Sequence, residues 1–492
     1  MSSARDGDVF RFDRRAWTRL LVLCTAVLFE GMSLSSINVQ LAGIQEGLEL
    51  RPDQLQLVAG AFLTTYAGLL LVGGTCADRW GRRRMFLSGV AVFGIGSLAA
   101  TLAQEPVLLI GARAVQGVGA AVTAPAAVAL IVAGFPEGAA RNKALGVFSA
   151  MGAAGFSLGV VIGGLLTQGF GWRGAFFLYV PLATLVLALG PRVLAAGTPE
   201  AAGGAGRGGL MPWLPPLLIT GGLVAVVYAV GRVGTGSGAE VTVVAAVGLA
   251  AIVVFLVTQA RARVPLLPPA LLADRRMLAA CLALGGAFAG ITGAMFLVAT
   301  ELQEKQGYSA LLTGLAFLPQ GLAVGLLSTP ASRLANRAPV TRLLLAGLAV
   351  ITVGQLLYTT VEQHAYVTHL LPAAILVGAG IAVAYPAATL LASAAADMSE
   401  QGTASGTLVT WQQAGGALGV AAVTAIDSSV TGDLWGGSYS LWGCFAFAFL
   451  TLCGCAALLL SPSRVRRGAR DVEAGTAAPT GRTGRASSKP AK

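Results

Sequence analysis

The chain has 492 residues, of which 55% are hydrophobic and only 11% are charged. Soluble domains carry about 25% charged residues, so this composition excludes a soluble enzyme with a core of ordinary size. Apolar runs of about 20 residues recur along nearly the whole chain, and each is long enough to cross the ~30 Å hydrocarbon core of a bilayer as a helix. The sequence therefore predicts an all-α, polytopic membrane protein.

About fourteen apolar segments are predicted to be transmembrane helices. Pro and Gly inside several of them are tolerated, because neighbouring helices can satisfy the freed backbone groups. In chain order the segments are 17–38, 55–76, 85–104, 107–132, 143–168, 174–194, 213–232, 241–260, 278–299, 310–330, 341–360, 370–393, 404–426 and 439–461.

Arginine and lysine are distributed unevenly between the two sides of the predicted membrane domain. An even number of spans puts both termini on one side, and most of the basic residues fall on that side. The loops on the other side hold only Arg51, Arg173, Arg232 and Lys305. Basic loops stay in the cytoplasm, so we expect a multi-pass protein of the cytoplasmic membrane with both termini cytoplasmic. The net charge of +11 is then a topology signal and predicts no nucleic-acid partner.

A faint internal repeat relates two parts of the chain. "TCADRWGRRR" closes the second predicted span and "SRLANRAPVTR" closes the tenth, so that Asn336 corresponds to Asp78 and Arg337 to Arg79. Internal repeats are common in secondary transporters, and this one predicts two six-helix bundles. The predicted units are a cytoplasmic segment (1–16), an N-terminal bundle (17–194), a cytoplasmic linker (195–211), two additional helices (212–264), a C-terminal bundle (265–461) and a disordered basic tail (462–492).

The stretch "GGTCADRWGRRR" places an aspartate and four arginines in a short link between two apolar runs. The spacing G-x-x-x-D-R-x-G-R-R is matched by Gly74, Asp78, Arg79, Gly81, Arg82 and Arg83. With this motif the chain resembles the major facilitator superfamily, and more narrowly its fourteen-span drug:proton antiporters. The resemblance implies a gating loop, in which Asp78 and Arg79 lock the cytoplasmic ends of helices together in one access state. A topology anchor without a gating role is the alternative.

Two further spans carry the resemblance. Span four, "RAVQGVGAA", matches R-x-x-Q-G-x-G-A-A at Arg113, Gln116, Gly117 and Gly119. Span five, "GFSLGVVIGG", is similar to the antiporter motif G-x-x-x-G-P-x-x-G-G, with Val160 in place of the usual proline and with glycines at Gly155, Gly159, Gly163 and Gly164. The resemblance implies that this glycine face seals the cytoplasmic side against leakage, and simple close packing of helices is the alternative.

Span one departs from the family. The family's span one often reads L-D-x-T-x-x-N-V-A-L-P, and "SLSSINVQLAG" keeps Asn38 and Val39 but has Ser33 where the aspartate is expected. The nearest acid is Glu30, about one helical turn earlier.

Only Glu30 and Arg113 are ionisable residues well inside the predicted spans, and such residues mark function by default. At ~1.5 Å per residue, Glu30 lies about 18 Å from one face and Arg113 about 9–10 Å from the other. In a ~30 Å core these depths nearly coincide, so we infer a pair, or a site where each group controls the other's protonation. That is the physical requirement for proton coupling; a static ion pair that fixes helix packing is the alternative.

Uncharged polar residues inside the spans are candidates for the substrate path, and interhelical hydrogen bonds are the equal alternative. The candidates are Asn38, Gln116, Gln320, Gln412 and Gln413. Because no acid sits deep in spans nine to fourteen, the sequence favours a neutral, zwitterionic or anionic substrate over a dication.

The predicted function is a proton-coupled antiporter that exports a small amphipathic drug or antibiotic by alternating access and so confers resistance. Its partners are the substrate, the proton and membrane lipid, and we expect a monomer without metal or cofactor. A major-facilitator importer or exporter of a non-drug metabolite is the alternative. An integral-membrane enzyme is disfavoured because no H-E-x-x-H or similar set occurs, and an ATP-driven pump because no G-x-x-x-x-G-K-[ST] occurs.

Overall fold

The computed structural model of the protein describes residues 13–136, 139–194, 214–234, 236–262, 265, 269–334, 338–360, 366–396, 401–430 and 439–460, which are almost entirely helical. The helices are α1 (Arg14–Leu48), α2 (Pro52–Trp80), α3 (Arg82–Thr101), α4 (Pro106–Gly134), α5 (Ala139–Phe177), α6 (Tyr179–Val193), α7 (Leu214–Gly231), α8 (Gly238–Arg261), α9 (Pro269–Ala273), α10 (Arg275–Thr300), α11 (Ala310–Leu334), α12 (Val340–Tyr358), α13 (Leu370–Ser393), α14 (Gln401–Val430) and α15 (Tyr439–Leu460). A π-helical turn, Glu301–Lys305, extends α10.

Ten helical stretches among the described residues are long and apolar enough to cross a membrane, and two shorter apolar helices, Gln54–Leu70 and Leu217–Gly231, accompany them. Each predicted span overlaps one of the helices α1–α8 or α10–α15. The one boundary that differs in kind lies between spans five and six, where α5 runs on to Phe177 through a break at Gly171 with φ 72°. The all-α, multi-span class predicted from the sequence is therefore confirmed.

Several helices begin at residues that satisfy their free N–H groups. The Asp13 carboxylate accepts a hydrogen bond from the Ala16 N–H at 2.7 Å, and the Ser237 hydroxyl accepts one from the Glu240 N–H at 3.2 Å. These are the residue types that favour helix N-caps. A proline opens α2 and another opens α4, at positions where no N–H is needed.

The helices form two groups that repeat the same pairings. In the first group, α1 packs against α5, and α4 packs against α2 and α3. In the second group, α10 packs against α14, and α13 packs against α11 and α12. We call α1–α6 the N-terminal bundle and α10–α15 the C-terminal bundle.

The bundles contact each other between α5 and α11 and between α2 and α14, and some of these contacts can be placed at one end of the molecule. We call the end at which α1 begins the near end and the opposite end the far end. At the far end the Gln303 side-chain amide, in the π-helical turn, donates to the Asn38 carbonyl oxygen at 3.3 Å. The start of α11 meets α5, where a methyl group added to Gly164 would lie 2.5 Å from the Ala310 carbonyl oxygen.

The additional helices α7 and α8 lie beside the bundles. α7 contacts both α2 and α14, and α8 packs against α7. A small buried cluster joins the three helices α2, α7 and α14 through Leu63, Val227, Ala417 and Ala421. α7 therefore covers the seam between the two bundles on that side.

Candidate coupling and gating sites

Glu30 lies in the interior of the N-terminal bundle, on α1, and is 4% exposed. Its Oε2 accepts a hydrogen bond from the Tyr66 hydroxyl on α2 at 3.0 Å. Its Oε1 is buried and has no hydrogen-bond partner among the described residues. Beside the carboxyl is a small cavity between α1, α3 and α4, whose other lining residues are Ala26, Phe29, Val90, Phe93, Ala120 and Thr123.

Arg113, on α4, is also buried in the N-terminal bundle, at 1% exposed. Its Nη1 donates to the Ser33 hydroxyl at 2.7 Å and to Gln116 Oε1 at 3.0 Å, and its Nε donates to the Val58 carbonyl oxygen at 3.3 Å. The guanidinium carbon lies 4.9 Å from the centre of the Phe62 ring, a cation–π distance. Neutral groups thus hold this buried cation.

The predicted pairing of Glu30 with Arg113 does not appear among these contacts. The two side chains have separate partners, and the α1 residue that meets Arg113 is Ser33, three residues after Glu30. Three residues correspond to about 4.5 Å along a helix, so Arg113 meets α1 about one turn beyond Glu30. The depth of a residue along its helix does not reveal which neighbouring helix its side chain faces. In the structure the carboxyl of Glu30 faces α2 and α3.

The Arg113 network continues beyond its direct partners. The Gln116 side-chain amide donates to the Ser97 hydroxyl of α3 at 2.8 Å, and Ser97 in turn donates to the Phe93 carbonyl oxygen at 2.8 Å. Gln116, predicted as a substrate-path residue, therefore sits within a hydrogen-bond network inside the bundle. Sequence reasoning missed Tyr66 and Ser97; their only signal was a polar side chain inside an apolar span.

The glycines of α5 face two different helices. Three of them bring α5 against α1 so closely that a methyl group would collide with α1 atoms. The α1 atoms met are the Leu28 carbonyl oxygen at 2.6 Å for Gly155, the Ser35 hydroxyl and the Met32 carbonyl oxygen for Gly159, and Ser36 Cβ at 2.5 Å for Gly163. Small residues at this spacing allow such contact between membrane helices.

Gly164 faces the other bundle, as its contact with Ala310 shows. Val160, which stands where the antiporter motif has proline, lies on the same seam, because a methyl group on Gly314 of α11 would meet the Val160 carbonyl oxygen at 2.5 Å. One turn of α5 therefore contributes both to the bundle interior and to the seam between bundles.

The loop motif lies at the near end, where Gly81 ends α2 and begins α3. Gly81 has φ 98°, a conformation that favours glycine. The Arg83 guanidinium donates to the Pro191 carbonyl oxygen near the C terminus of α6 at 2.7 Å, a favourable place for a cation. Gly74 is in ordinary contact with Pro125, whereas its neighbour Gly73 makes the close approach, to the Ala121 carbonyl oxygen of α4.

Other parts of this motif fall outside what the structure describes. The backbone of Asp78 and Arg79 belongs to α2, but their side chains lie outside the described residues, as do Asn336 and Arg337 in the corresponding loop. Arg82 is partly buried.

The remaining substrate-path candidates are spread over the molecule. The Asn38 side-chain amide donates to the Ser35 carbonyl oxygen at 3.4 Å. In the C-terminal bundle, Gln320 Oε1 accepts from the Tyr358 hydroxyl at 3.4 Å, and Gln413 is buried. Gln320 Nε2 and Gln412 Oε1 have no hydrogen-bond partner within the described part of the chain.

Comparison with known proteins agrees with this arrangement. Residues 23–420 and 281–485 match the family described as Major Facilitator Superfamily. The chain is 37% identical over 424 residues to the puromycin resistance protein pur8 of Streptomyces alboniger. This alignment covers 85% of this chain and 83% of pur8. It is 36% identical over 435 residues to the cephamycin export protein CmcT of Amycolatopsis lactamdurans, and that alignment covers 85% of this chain and 86% of CmcT.

Among solved structures, the POT family transporter PepTSo shares the fold. The TM-score is 0.63 at 18% identity, and the alignment covers 93% of this chain and 98% of that chain. The chain therefore belongs to the major facilitator superfamily and is a transporter, not an enzyme.

Proposed function

We propose that this transporter is a proton-coupled antiporter of the fourteen-span type, which exports a small amphipathic drug or antibiotic across the cytoplasmic membrane and confers resistance. The observation that carries the proposal is the buried carboxyl of Glu30, which has a single hydrogen-bond donor inside a mostly apolar part of the bundle. The names of the similar proteins, a puromycin resistance protein and a cephamycin export protein, support the substrate class.

Proton coupling follows from the cost of charge in this environment. An ionised carboxylate in a membrane interior is expensive unless several donors stabilise it. Glu30 has one donor, Tyr66, so a small change in its surroundings is enough to change whether it holds a proton. Glu30 is thus suited to take up a proton in one access state and release it in the other.

Alternating access is supported by where the bundles touch. With both termini in the cytoplasm, the near end is cytoplasmic, and the contacts between α5 and α11 and between Asn38 and Gln303 close the molecule toward the outside. The loop after α2 lies at the end that would then be open. In the proposed cycle, Asp78 and Arg79 hold that end closed in the opposite state, and Gly81 and Arg83 fix the loop in place.

The central experiment replaces Glu30 with glutamine, which is close in size and still forms hydrogen bonds but cannot release a proton. Inverted membrane vesicles are supplied with puromycin or a cephamycin, with and without an imposed proton gradient. Wild-type vesicles should accumulate at least one of the two compounds only with the gradient. Glu30→Gln should abolish this accumulation while leaving downhill movement of the compound.

Glu240→Gln is the matched control, because Glu240 also accepts a hydrogen bond from a tyrosine, Tyr228, at 3.1 Å, but lies at the far end of α7 and α8. This variant should behave like the wild type. Gradient-driven accumulation by Glu30→Gln at the wild-type level would contradict Glu30 as the coupling residue. Failure of the wild type to carry either compound would contradict the proposed substrate class.

A further inference from the structure

The two oxygens of the Glu30 carboxyl are in different surroundings. Oε2 accepts the hydrogen bond from Tyr66, a residue that is 5% exposed and lies on α2. Oε1 is left without a partner among the described residues and is buried beside the cavity between α1, α3 and α4. Tyr66 therefore distinguishes the two oxygens: Oε2 is held by protein, and Oε1 is left unpartnered on a residue that lines the cavity.

The cavity has a second polar side chain. Thr123 of α4 lines the cavity, and its hydroxyl donates its hydrogen to the Gly119 carbonyl oxygen at 2.7 Å. The oxygen of Thr123 can therefore still accept a hydrogen bond. A cavity of this small size suits a single water molecule, which needs two or more polar partners. Glu30 Oε1 and Thr123 Oγ1 provide two acceptors for such a water.

The Tyr66 hydroxyl can only donate to an ionised carboxylate, and a hydrogen bond to the ionised form favours that form. The other titratable groups near Glu30 in the described part of the chain do not hydrogen-bond to its carboxyl. Tyr179 of α6 packs its ring on Phe29 and bonds to Ser36, Arg113 of α4 bonds to Ser33, and Tyr385 of α13 lies near Tyr66. The parts of α3, α5, α10 and α11 at this depth carry no acidic or basic side chain.

We propose that Tyr66 is the positioning residue for the coupled proton: it holds Oε2 of Glu30, favours the ionised carboxyl and leaves Oε1 to exchange its proton with water in the cavity between α1, α3 and α4. This inference rests on the proposed role of Glu30 in coupling. It adds a residue and a proton-exchange site that the family motifs quoted above do not contain.

The test is the pH dependence of gradient-driven puromycin uptake into inverted vesicles, or of cephamycin uptake if that is the compound carried. Tyr66→Phe keeps the ring and removes the hydroxyl, so the protonated carboxyl is favoured. A hydrogen bond to an ionised group corresponds to about one to two pH units. The rate profile of Tyr66→Phe should therefore move to higher pH by about that amount.

Tyr228→Phe is the matched control, because it removes a tyrosine hydroxyl that donates to a glutamate outside the two bundles. Its pH profile should match the wild type. Protein quantity in the membrane and the thermal midpoint of each purified variant show whether folding has changed. Tyr66→Phe with an unshifted profile, in protein that folds normally, would overturn the inference.

A double variant separates positioning from contact with the substrate. If Tyr66 acts only through Glu30, Tyr66→Phe should not alter downhill puromycin movement in the Glu30→Gln background, because the group it positions no longer titrates. A further change of several-fold there would mean that Tyr66 touches the substrate, and would overturn the inference. Failure of Glu30→Gln itself to lose gradient dependence would instead contradict the proposed function.

Discussion

The N-terminal and C-terminal bundles repeat the same helix pairings but bury different chemistry. In the N-terminal bundle, Glu30 and Arg113 are both nearly inaccessible. In the C-terminal bundle, the buried polar side chains among the described residues are uncharged, and they include Gln320, Gln355 and Gln413. Charges are much more expensive than amides inside a membrane, so among the described residues the costly buried groups are confined to one bundle.

The packing between helices is shared. α5 approaches α1 at Gly159, and in the same way α14 approaches α10, where a methyl group on Gly415 or Gly419 would collide with the carbonyl oxygens of Gly285 and Ala289. The two bundles are therefore alike where backbones touch and differ in whether buried side chains carry charge. Four predictions test this contrast, in order of decreasing expected effect.

The largest effect is expected from Arg113→Leu. It removes the donor to the Ser33 hydroxyl, to Gln116 Oε1 and to the Val58 carbonyl oxygen, each of which is then buried without that partner. An unsatisfied buried group costs about 1–3 kcal/mol, so we expect a loss of stability of several kcal/mol and transport lower by more than ~10-fold. Thermal unfolding of purified protein and vesicle uptake would measure these. Near-wild-type values for both would show that the network is dispensable.

Asp78→Asn should rank second. It gives the first loop the residue that the second loop has at Asn336. If the aspartate gates access, uptake should fall by about 10-fold, a loss of about 1.4 kcal/mol in transition-state stabilisation, while the protein inserts normally. The reverse change, Asn336→Asp, should leave uptake within about two-fold of the wild type. Equal effects of both changes would remove the asymmetry between the loops.

Gly159→Ala and Gly419→Ala should have similar, smaller effects on stability, because the same kind of contact is disturbed in each bundle. Overpacking of this kind costs about 1–3 kcal/mol. Gly221→Ala is the control, since nothing lies within 4 Å of a methyl group at that position in α7. A thermal midpoint lowered in one bundle and unchanged in the other would show that the shared packing is not equally important.

The smallest effect is expected from Gln355→Leu. Both side-chain amide atoms of Gln355 are buried without a hydrogen-bond partner in the part of the chain that is described. A leucine of similar size removes that cost, so stability should be unchanged or higher by up to about 1 kcal/mol. By contrast, Gln116→Leu in the N-terminal bundle loses two partners, Arg113 and Ser97, and should destabilise by about 1–3 kcal/mol. A destabilised Gln355→Leu would mean that its amide is satisfied in the membrane.

Much of the fold could be predicted from the sequence because hydropathy and length determine which segments cross a bilayer. The segments predicted for α1, α4 and α10 coincide with helices, and the intramembrane charges were identified as unusual. The motif glycines of α5 were also found, since close helix packing depends on the absence of a side chain, which is visible in sequence.

The partners of those residues could not be predicted. Which side of α1 faces α2 depends on how all the helices pack, so neither the bond from Tyr66 to Glu30 nor the bond from Arg113 to Ser33 could be read from spacing. The same limit explains why Gly73, and not the motif residue Gly74, makes the close approach to α4. One residue turns a helix by about 100°, which is enough to exchange one neighbour for another.

The position of α7 gives the two seams between the bundles different borders. On the side of α2 and α14 the seam meets α7, and α8 outside it presents exposed valines such as Val243 and Val247. On the side of α5 and α11, no additional helix among the described residues packs over the seam. In a bilayer, acyl chains can therefore reach the α5–α11 seam directly, whereas a helical hairpin keeps them from the α2–α14 seam. Of these two seams, only the first borders the leaflet in the described part of the chain, so a lipophilic molecule travelling within the leaflet meets unequal flanks.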